Sequence, residues 1–272
     1  MYGIEKLPAF VVTGNAAGLQ PLVTRFGTPL KQGAFVYESP QAPYYSVSED
    51  RIVGTVDILV LNDSSCATCY NASIIPEIFD AQGVAVGDVT YLEYNSTDGI
   101  AIISDYNITR LPAVIVSSEI NYYGDFAESV KQSSTQTFDG NYLLAIITPY
   151  KDVSGGTVHG IVDVVYLNDS SCTQCYNVTD HEAAIVSFGI YVNSRRTFDV
   201  SSAEGRQLIA RYNITAVPTI LFSPEASAYS SLGRVWSSVG SVEPDGWFVF
   251  RDPSTIGAYK NLTTGRIVNE TG

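Results

Sequence analysis

The sequence predicts an α/β fold built from tandem domains, and two observations support this prediction. Residues 56–73 (VDILVLNDSSCATCYNAS) recur as residues 162–179 (VDVVYLNDSSCTQCYNVT), which places the first cysteines of the two copies 106 residues apart. Within each copy, β-branched apolar runs alternate with amphipathic runs, a pattern typical of strands and helices packed in layers. A repeat of this length is too long for a solenoid and therefore indicates whole domains.

The two copies predict the same order of elements. An apolar strand runs into a polar turn with a C-x-x-C pair, a helix begins around the second cysteine, and a second strand follows. A short amphipathic helix then leads to an X-Pro turn, a third strand, another helix and an aromatic strand that opens on an Asp-Gly turn. The predicted strands are Val56–Leu61, Asp88–Tyr94, Ala113–Ser117 and Gly140–Thr148 in the first copy and Val162–Leu167, Ile185–Val192, Thr219–Ser223 and Gly246–Phe250 in the second; the amphipathic helices are Gly99–Tyr106 and Ala203–Tyr212.

The X-Pro turn occurs a third time at the start of the chain. Tyr2–Pro8 matches Tyr106–Pro112 and Tyr212–Pro218, and two strand-like segments follow it, at Ala9–Thr13 and Gly33–Tyr37. In the two later copies the proline stands 43 residues after the second cysteine, whereas no cysteine pair precedes the first copy. The N-terminal segment therefore repeats only the second part of the pattern.

Each copy has a strand, then a C-x-x-C pair at a helix start, and about forty residues later a proline before another strand. This arrangement resembles the thioredoxin fold, in which helices flank a central mixed sheet. The resemblance implies that Pro112 and Pro218 follow cis peptide bonds and face the cysteine pairs. Pro8 would be the equivalent proline without a cysteine pair to face. It also implies two complete thioredoxin-like domains, residues 46–150 and 151–272. Residues 1–45 would be the C-terminal half of a third.

The same resemblance implies that Cys66 and Cys172 are redox nucleophiles and that Cys69 and Cys175 resolve the mixed disulfide. A helix N-terminus would support this role, because its free N–H groups and partial positive charge stabilise a thiolate. The alternative is that each pair is a structural disulfide in an oxidising compartment. A zinc site is disfavoured, since the pairs lie far apart in sequence and the chain has only two histidines. No cofactor is expected.

The chain departs from the redox members of this family near each pair. Those members carry an aromatic residue before the first cysteine and a buried, proton-accepting aspartate six residues before it. In its two copies this chain has Ser65 and Ser171 at the former position and Val60 and Tyr166 at the latter. Asp63 and Asp169 are expected in the exposed turn, where their charge would raise the pKa of a neighbouring thiol.

Nine of the thirteen asparagines lie in N-x-Ser/Thr sequons, against roughly two or three expected by chance. This excess predicts an exported protein with a dense cover of N-glycans. Six of the nine flank a cysteine pair or its proline, so their glycans would crowd the rim that a protein substrate must reach for disulfide exchange. The sequon asparagines are Asn62, Asn71, Asn95, Asn107, Asn168, Asn177, Asn213, Asn261 and Asn269.

Composition narrows the choice of partners. A formal charge of −13 and a pI of about 4.4 argue against nucleic acid and anionic lipid. No apolar run reaches the roughly 18 residues that a membrane-spanning helix needs. Met1–Pro8 does not resemble a signal peptide, so we expect the export signal to lie outside the chain shown.

Other candidate residues carry less information. Trp236 and Trp247 are expected to be core or interface aromatics. Glu77 and His181 each occur in only one copy, which argues against a catalytic role shared by the domains.

These observations predict an extracellular, heavily N-glycosylated structural protein. We expect a surface or filament subunit, locked by a disulfide in each complete domain, that self-assembles head-to-tail into a homopolymer through its incomplete terminal domain. For residues 1–45 the alternative is that they fold back on the first complete domain of the same chain. The alternative is a secreted thiol–disulfide oxidoreductase that uses Cys66 and Cys172. The sequence leaves open whether the protein is an enzyme.

Overall fold

The structure is a computed structural model that describes residues 2–145 and 147–269. Over these residues the chain is mixed α/β, with seven α-helices and several sheets. It divides into two compact units, one of residues 1–65 and 71–147 and the other of residues 66–70 and 148–272. The predicted domain boundaries at residues 45 and 150 fall inside short strands, at Tyr44–Ser46 and Tyr150–Asp152.

The helices follow the order that the repeat predicts, and Ala203–Tyr212 has the predicted bounds. The α-helices are Ala16–Phe26 (α1), Ile75–Ala81 (α2), Thr97–Asp105 (α3), Gly124–Gln132 (α4), Glu182–Ser187 (α5), Ala203–Tyr212 (α6) and Ser230–Val239 (α7). Short 3-10 helices lie at Ala72–Ile74, Ser118–Tyr122, Val178–His181, Pro224–Ala228 and Pro253–Thr255.

The strands are short except for the central pair of each unit. In the first unit they are Lys6–Leu7 (β1), Phe10–Thr13 (β2), Ala34–Tyr37 (β3), Tyr44–Ser46 (β4), Arg51–Val53 (β5), Val56–Asn62 (β6), Val86–Glu93 (β7), Arg110–Leu111 (β8), Ala113–Val116 (β9), Ser134–Gln136 (β10) and Tyr142–Leu144 (β11). In the second they are Tyr150–Asp152 (β12), Val158–His159 (β13), Ile161–Asn168 (β14), Tyr191–Asp199 (β15), Ala216–Val217 (β16), Thr219–Phe222 (β17), Gly240–Val242 (β18), Phe248–Phe250 (β19), Tyr259–Asn261 (β20) and Ile267–Val268 (β21).

Each unit is built on a five-stranded mixed sheet of the same plan. The order is β10-β11-β9-β6-β7 in the first unit and β15-β14-β17-β19-β18 in the second. The central strand is parallel to one neighbour and antiparallel to the other: β6 to β7 and β9, β14 to β15 and β17. Both faces of β14 are covered, because alternate residues enter two separate apolar clusters. Its near-continuous apolar sequence is typical of a strand buried on both sides.

One predicted strand is wrong. Residues 185–187 form the second half of α5, a turn follows, and β15 begins only at Tyr191. Their β-branched composition favoured a strand, but Ile185 is buried while Val186 is largely exposed, and the preceding alanines favour a helix. Gly189, with φ of 64°, ends this helix in a left-handed conformation.

A hairpin precedes the central strand of the first unit, and its closing glycine is constrained. Gly54 has φ of +85°, and a Cβ there would lie 2.6 Å from the Cβ of Ala42. Its N–H donates to Glu119 and its carbonyl accepts from the Tyr123 hydroxyl. Gly160, Glu225 and Tyr229 make the same contacts in the second unit. Besides the predicted prolines, Pro43 and Pro149 also follow cis peptide bonds.

The N-terminal segment forms a small sheet of its own. β2 and β3 pair antiparallel from Phe10↔Tyr37 to Thr13↔Ala34, and Phe35 and Val36 are fully buried. Asn15 caps α1 by accepting from the N–H of Gly18. Over the described residues β2 has no second strand beside it, whereas β9 and β17, the strands at the same place in the repeat, each lie between two.

Candidate functional site at the C-x-x-C pairs

Each C-x-x-C pair is closed as a disulfide, Cys66–Cys69 and Cys172–Cys175. All four cysteines are half-buried. They lie in the loops that follow the carboxyl ends of β6 and β14. Among the described residues no cysteine is free.

The predicted helix start at the second cysteine is wrong. A 3-10 turn begins at Ala72 or Val178, and the α-helix begins only at Ile75 or Glu182. The sequon asparagines explain the delay: Oδ1 of Asn71 accepts from the N–H of Ser73 and starts the turn after the cysteines, as Asn177 does for Thr179.

This delay removes the main physical support for a reactive thiolate. The field of a helix terminus falls off within its first turn. Cys66 and Cys172 therefore lie in a loop beyond the reach of the helices α2 and α5, which have only seven and six residues.

The aspartates beside the pairs are buried, which corrects the prediction of an exposed turn. Asp63 is 4% exposed and Asp169 is 9% exposed. Each carboxylate accepts from both the backbone N–H and the hydroxyl of the serine two residues on, Ser65 at 2.9 and 2.5 Å and Ser171 at the same distances. The serine before each first cysteine therefore turns back to hold the loop.

In the second unit the buried aspartate is part of an ion pair. Lys260 from β20 donates to Asp169. Burial alone would raise the pKa of Asp169, but hydrogen bonds from Lys260 and Ser171 outweigh it and lower the pKa. Asp199 accepts a hydrogen bond from the Ser170 N–H at 2.7 Å. Hydrogen bonds from Ser201 and Ser170 also lower the pKa of Asp199. Two ionised carboxylates thus hold the loop that carries Cys172.

The position where redox members of the family carry a buried aspartate holds Tyr166 in the second unit. This residue is buried, and its hydroxyl donates to Glu182. Arg195 binds the same carboxylate at 2.8 and 3.1 Å, and this bidentate contact is the main reason that the pKa of Glu182 is lowered. Glu182 is therefore held as an anion and is poorly suited to accept a proton. Val60, buried in the first unit, cannot titrate.

The peptide bonds before Pro112, Pro218 and Pro8 are cis. In the second unit the carbonyl of the proline contacts the residue that follows the cysteine pair. The hydroxyl of Tyr176, which follows Cys175, donates to the carbonyl of Pro218 at 2.7 Å. The N–H of Tyr176 donates to Ala258 at 2.8 Å. This tyrosine therefore anchors the end of the cysteine loop.

His181, to which the sequence assigned no role because it occurs in only one copy, is a neighbour of this site. Its Nε2 lies 3.0 Å from the Tyr176 hydroxyl, and its ring packs edge-on against Phe250. Burial lowers the pKa of His181 to about 4, so the ring is neutral at physiological pH. The residue at the matching position of the first copy is Ile75. The histidine is therefore not repeated, and the repeat could not mark it.

The sequon asparagines are all accessible to some degree. Asn71, Asn95, Asn107, Asn177, Asn213 and Asn269 are exposed, and Asn62, Asn168 and Asn261 are half-buried. In the first unit Asn107 and Pro112 line the same cleft, which has a volume of about 290 Å³. A glycan on Asn107 would therefore stand at the edge of that cleft.

Two further kinds of site can be assessed over the described part of the chain. No cluster of three or more His, Cys, Asp or Glu side chains there could hold a metal ion. Its helices are all too short or too polar to cross a membrane.

No protein-family model and no curated protein matches the chain. Among solved structures, the NTD_N/C domain of the alkylhydroperoxide reductase AhpF from Enterococcus faecalis is 15% identical, over 62% of this chain and 83% of that one, with a TM-score of 0.18. Full-length ERdj5 is 8% identical over 65% of this chain and 26% of its own length, also with a TM-score of 0.18. The aligned domains are thioredoxin-like. At this TM-score the likeness constrains neither the fold nor the activity of the chain.

Proposed function

We propose that the protein is an extracellular, N-glycosylated structural subunit of a surface layer or filament, and that it assembles through its N-terminal half domain. The observation that carries this proposal is the open edge of β2. In the complete copies the equivalent strands, β9 and β17, are flanked on that side by the long central strands β6 and β14. The half domain has no such strand among the described residues.

The open edge is also apolar. Phe10 stacks on Tyr37 and Phe26 packs against it at a tilt, with ring centroids 5.1 and 4.9 Å apart, and both phenylalanines remain more than a third exposed. An unpaired strand with exposed aromatic side chains is a template for pairing with another chain. The repeat indicates the partner: an apolar strand that runs antiparallel to β2, as β6 runs to β9 through Ile58↔Val116 and Leu61↔Ala113.

This contact would be heterologous, because the surface that offers the edge differs from the surface that fills it. A heterologous contact that does not close into a ring produces an open filament. The proposed organisation is therefore a half domain, residues 1–45, followed by two complete thioredoxin-like domains, 46–150 and 151–272, with copies joined head-to-tail. The thioredoxin-like assignment is supported by the parallel pair of central strands that flanks each C-x-x-C loop and short helix.

In this proposal the cysteine pairs are structural. The disulfides lie in loops outside the first turn of the following helix, and ionised carboxylates hold the second loop. Both features disfavour a thiolate. Glycans at Asn71 and Asn177, two residues beyond each pair, would also obstruct an approaching protein substrate.

A secreted thiol–disulfide oxidoreductase is the second candidate. It is favoured by the half-buried, partly accessible disulfides. It is also favoured by the hydrogen bond from Tyr176, the residue after Cys175, to the cis-proline Pro218. An insulin-reduction assay separates the two candidates, with a Cys66→Ser, Cys172→Ser double variant as the control. Turnover by the wild type that the double variant lacks would contradict a purely structural role for the cysteines.

The assembly is tested by electron microscopy and analytical ultracentrifugation of the glycosylated protein. We expect fibres or extended oligomers for the wild type, and a shift to monomer for Phe10→Lys, because a charge on an edge strand opposes pairing. Phe138→Lys is the matched control, since Phe138 is the most exposed of the large apolar residues and lies outside the edge. A monomeric wild type, or equal loss of assembly in both variants, would contradict the role of β2.

A further inference from the structure

The second unit contains an apolar cavity of about 220 Å³ that the proposed assembly does not use. It lies between α5, α7 and the sheet strands β17 and β19, and its wall includes His181, Ala184, Phe222, Trp236 and Phe250. Trp236, expected as a core aromatic, is buried, but it also forms part of this wall.

The residues in and around the cavity differ between the two copies. In the first unit Phe126 of α4 packs edge-on against Phe79 of α2, with ring centroids 5.2 Å apart. The corresponding residues of the second unit are the smaller Leu232 and Ile185, whereas Val116, Val130 and Leu144 correspond to the larger Phe222, Trp236 and Phe250 of the wall. Ala184 likewise stands where the first copy has an isoleucine, which shortens the wall.

His181 is the polar side chain in the lining, and its hydrogen bonds define what it can accept. The hydroxyl of Tyr176 has one proton and donates it to Pro218, so its contact with His181 requires a proton on Nε2. The neutral ring then presents Nδ1 as an acceptor. Nδ1 has no hydrogen-bond partner among the described residues, and no fully buried side-chain nitrogen or oxygen there lacks one, so Nδ1 keeps some accessible surface.

We propose that this cavity binds a small, largely apolar molecule that carries one hydrogen-bond donor, of the phenol class. Its volume exceeds the roughly 150 Å³ at which an apolar protein cavity accommodates benzene, which leaves room for one ring with a small substituent. The apolar wall would enclose the ring, and the hydroxyl would donate to Nδ1 of His181. This site does not rest on the proposed assembly, which is argued from the edge of β2 in the other unit.

The test is a titration of the glycosylated protein with 4-fluorophenol and with fluorobenzene, followed by ¹⁹F NMR. Both probes should bind saturably, and 4-fluorophenol should bind about fivefold more tightly because of its one extra hydrogen bond. His181→Ile, which introduces the residue of the first copy, should abolish this preference. Ala184→Ile, which adds three carbons at the wall, should weaken both probes at least about tenfold by filling the space.

Ala183→Ile is the matched control, because Ala183 is an exposed alanine of the same helix and is not part of the wall; it should bind both probes as the wild type does. Tryptophan fluorescence verifies that each variant is folded. If His181→Ile does not fold, the preference between the probes in the wild type and the effect of Ala184→Ile still decide the question. The proposal is overturned if neither probe saturates, if Ala184→Ile binds normally, or if a folded His181→Ile keeps the preference.

Discussion

Replacing Lys260 with methionine tests whether a buried ion pair holds the second cysteine loop. The side chain of Asp169 is 6% exposed and that of Lys260 is 26% exposed. Methionine keeps an unbranched apolar stem but removes the charge. The carboxylate of Asp169 would then keep its two hydrogen bonds from Ser171 and lose the ammonium group.

The expected magnitude follows from the burial of the two groups. Removing one partner of a fully buried pair costs about 3–5 kcal/mol. Because Lys260 is a quarter exposed and Ser171 still satisfies one carboxylate oxygen, we expect a loss of about 2 kcal/mol in the free energy of unfolding at pH 7.

The pH dependence gives a second signature. The folded-state pKa of Asp169 is lowered, so its stabilising contribution is present above the unfolded pKa of about 3.9 and is lost as the pH falls through the folded pKa. Without Lys260, the pKa of Asp169 should rise above its wild-type value, because burial is then opposed by fewer interactions, and the protonated acid needs no cation. The deficit of the variant should therefore shrink to about 1 kcal/mol or less at pH 3.

Urea unfolding followed by tryptophan fluorescence is a suitable assay, because both tryptophans belong to the second unit. Arg211→Gln is the control: it removes a cation from a largely exposed pair with Asp245 and should cost about 0.5 kcal/mol or less. A Lys260→Met variant as stable as the control at pH 7, or one with the same deficit at pH 7 and pH 3, would refute the reasoning.

Three further predictions use the second unit. Gly160→Ala should lower the free energy of unfolding by about 2 kcal/mol, because φ is +87° and a Cβ would lie 2.1 Å from a threonine methyl. Gly155→Ala, where a Cβ would have no atom nearer than 3.7 Å, should be close to neutral. Equal urea midpoints for the two variants would contradict this. Replacing Cys172 and Cys175 by serine should lower the free energy of unfolding by about 2 kcal/mol through loss of the short covalent loop, and an unchanged midpoint would count against a stapling role. In an NMR titration His181 should protonate near pH 4; since this pKa is lowered by burial, stability should fall as the pH drops from about 6.5 towards 4, and a titration near 6.5 would exclude a buried neutral ring.

Much of the framework was predictable because it depends on local periodicity and on the internal repeat. The apolar runs at Val56–Leu61 and Val162–Leu167 are strands extended by one or two residues, and Ala203–Tyr212 is a helix with a serine cap at Ser202. Asp139-Gly140 and Asp245-Gly246 form turns with glycine φ near +85°. These features follow from neighbouring residues alone.

The errors concern side chains whose environment is set by distant residues. Asp169 looked like a turn residue, but it is buried and forms an ion pair with Lys260, 91 residues later. The segment 185–192 was ambiguous in composition, and only its packing against the sheet made it a helix and a turn. His181 is not repeated in the first copy, so the sequence did not mark it. The tyrosine, proline and aromatic side chains around it come together only in the folded unit.

The order of strands and helices, the repeat, the sequons and the cysteine spacing could all be recognised before the fold was known, since each depends on residues close together in the chain. The surroundings of the cysteines became apparent only from the folded chain. It places them before the helices and beside the buried aspartates Asp63 and Asp169, and among the described residues it leaves the edge of β2 without a strand. These properties depend on contacts between residues that are distant in the chain and on how far those contacts exclude water. Neither can be read from the pattern of neighbouring residues.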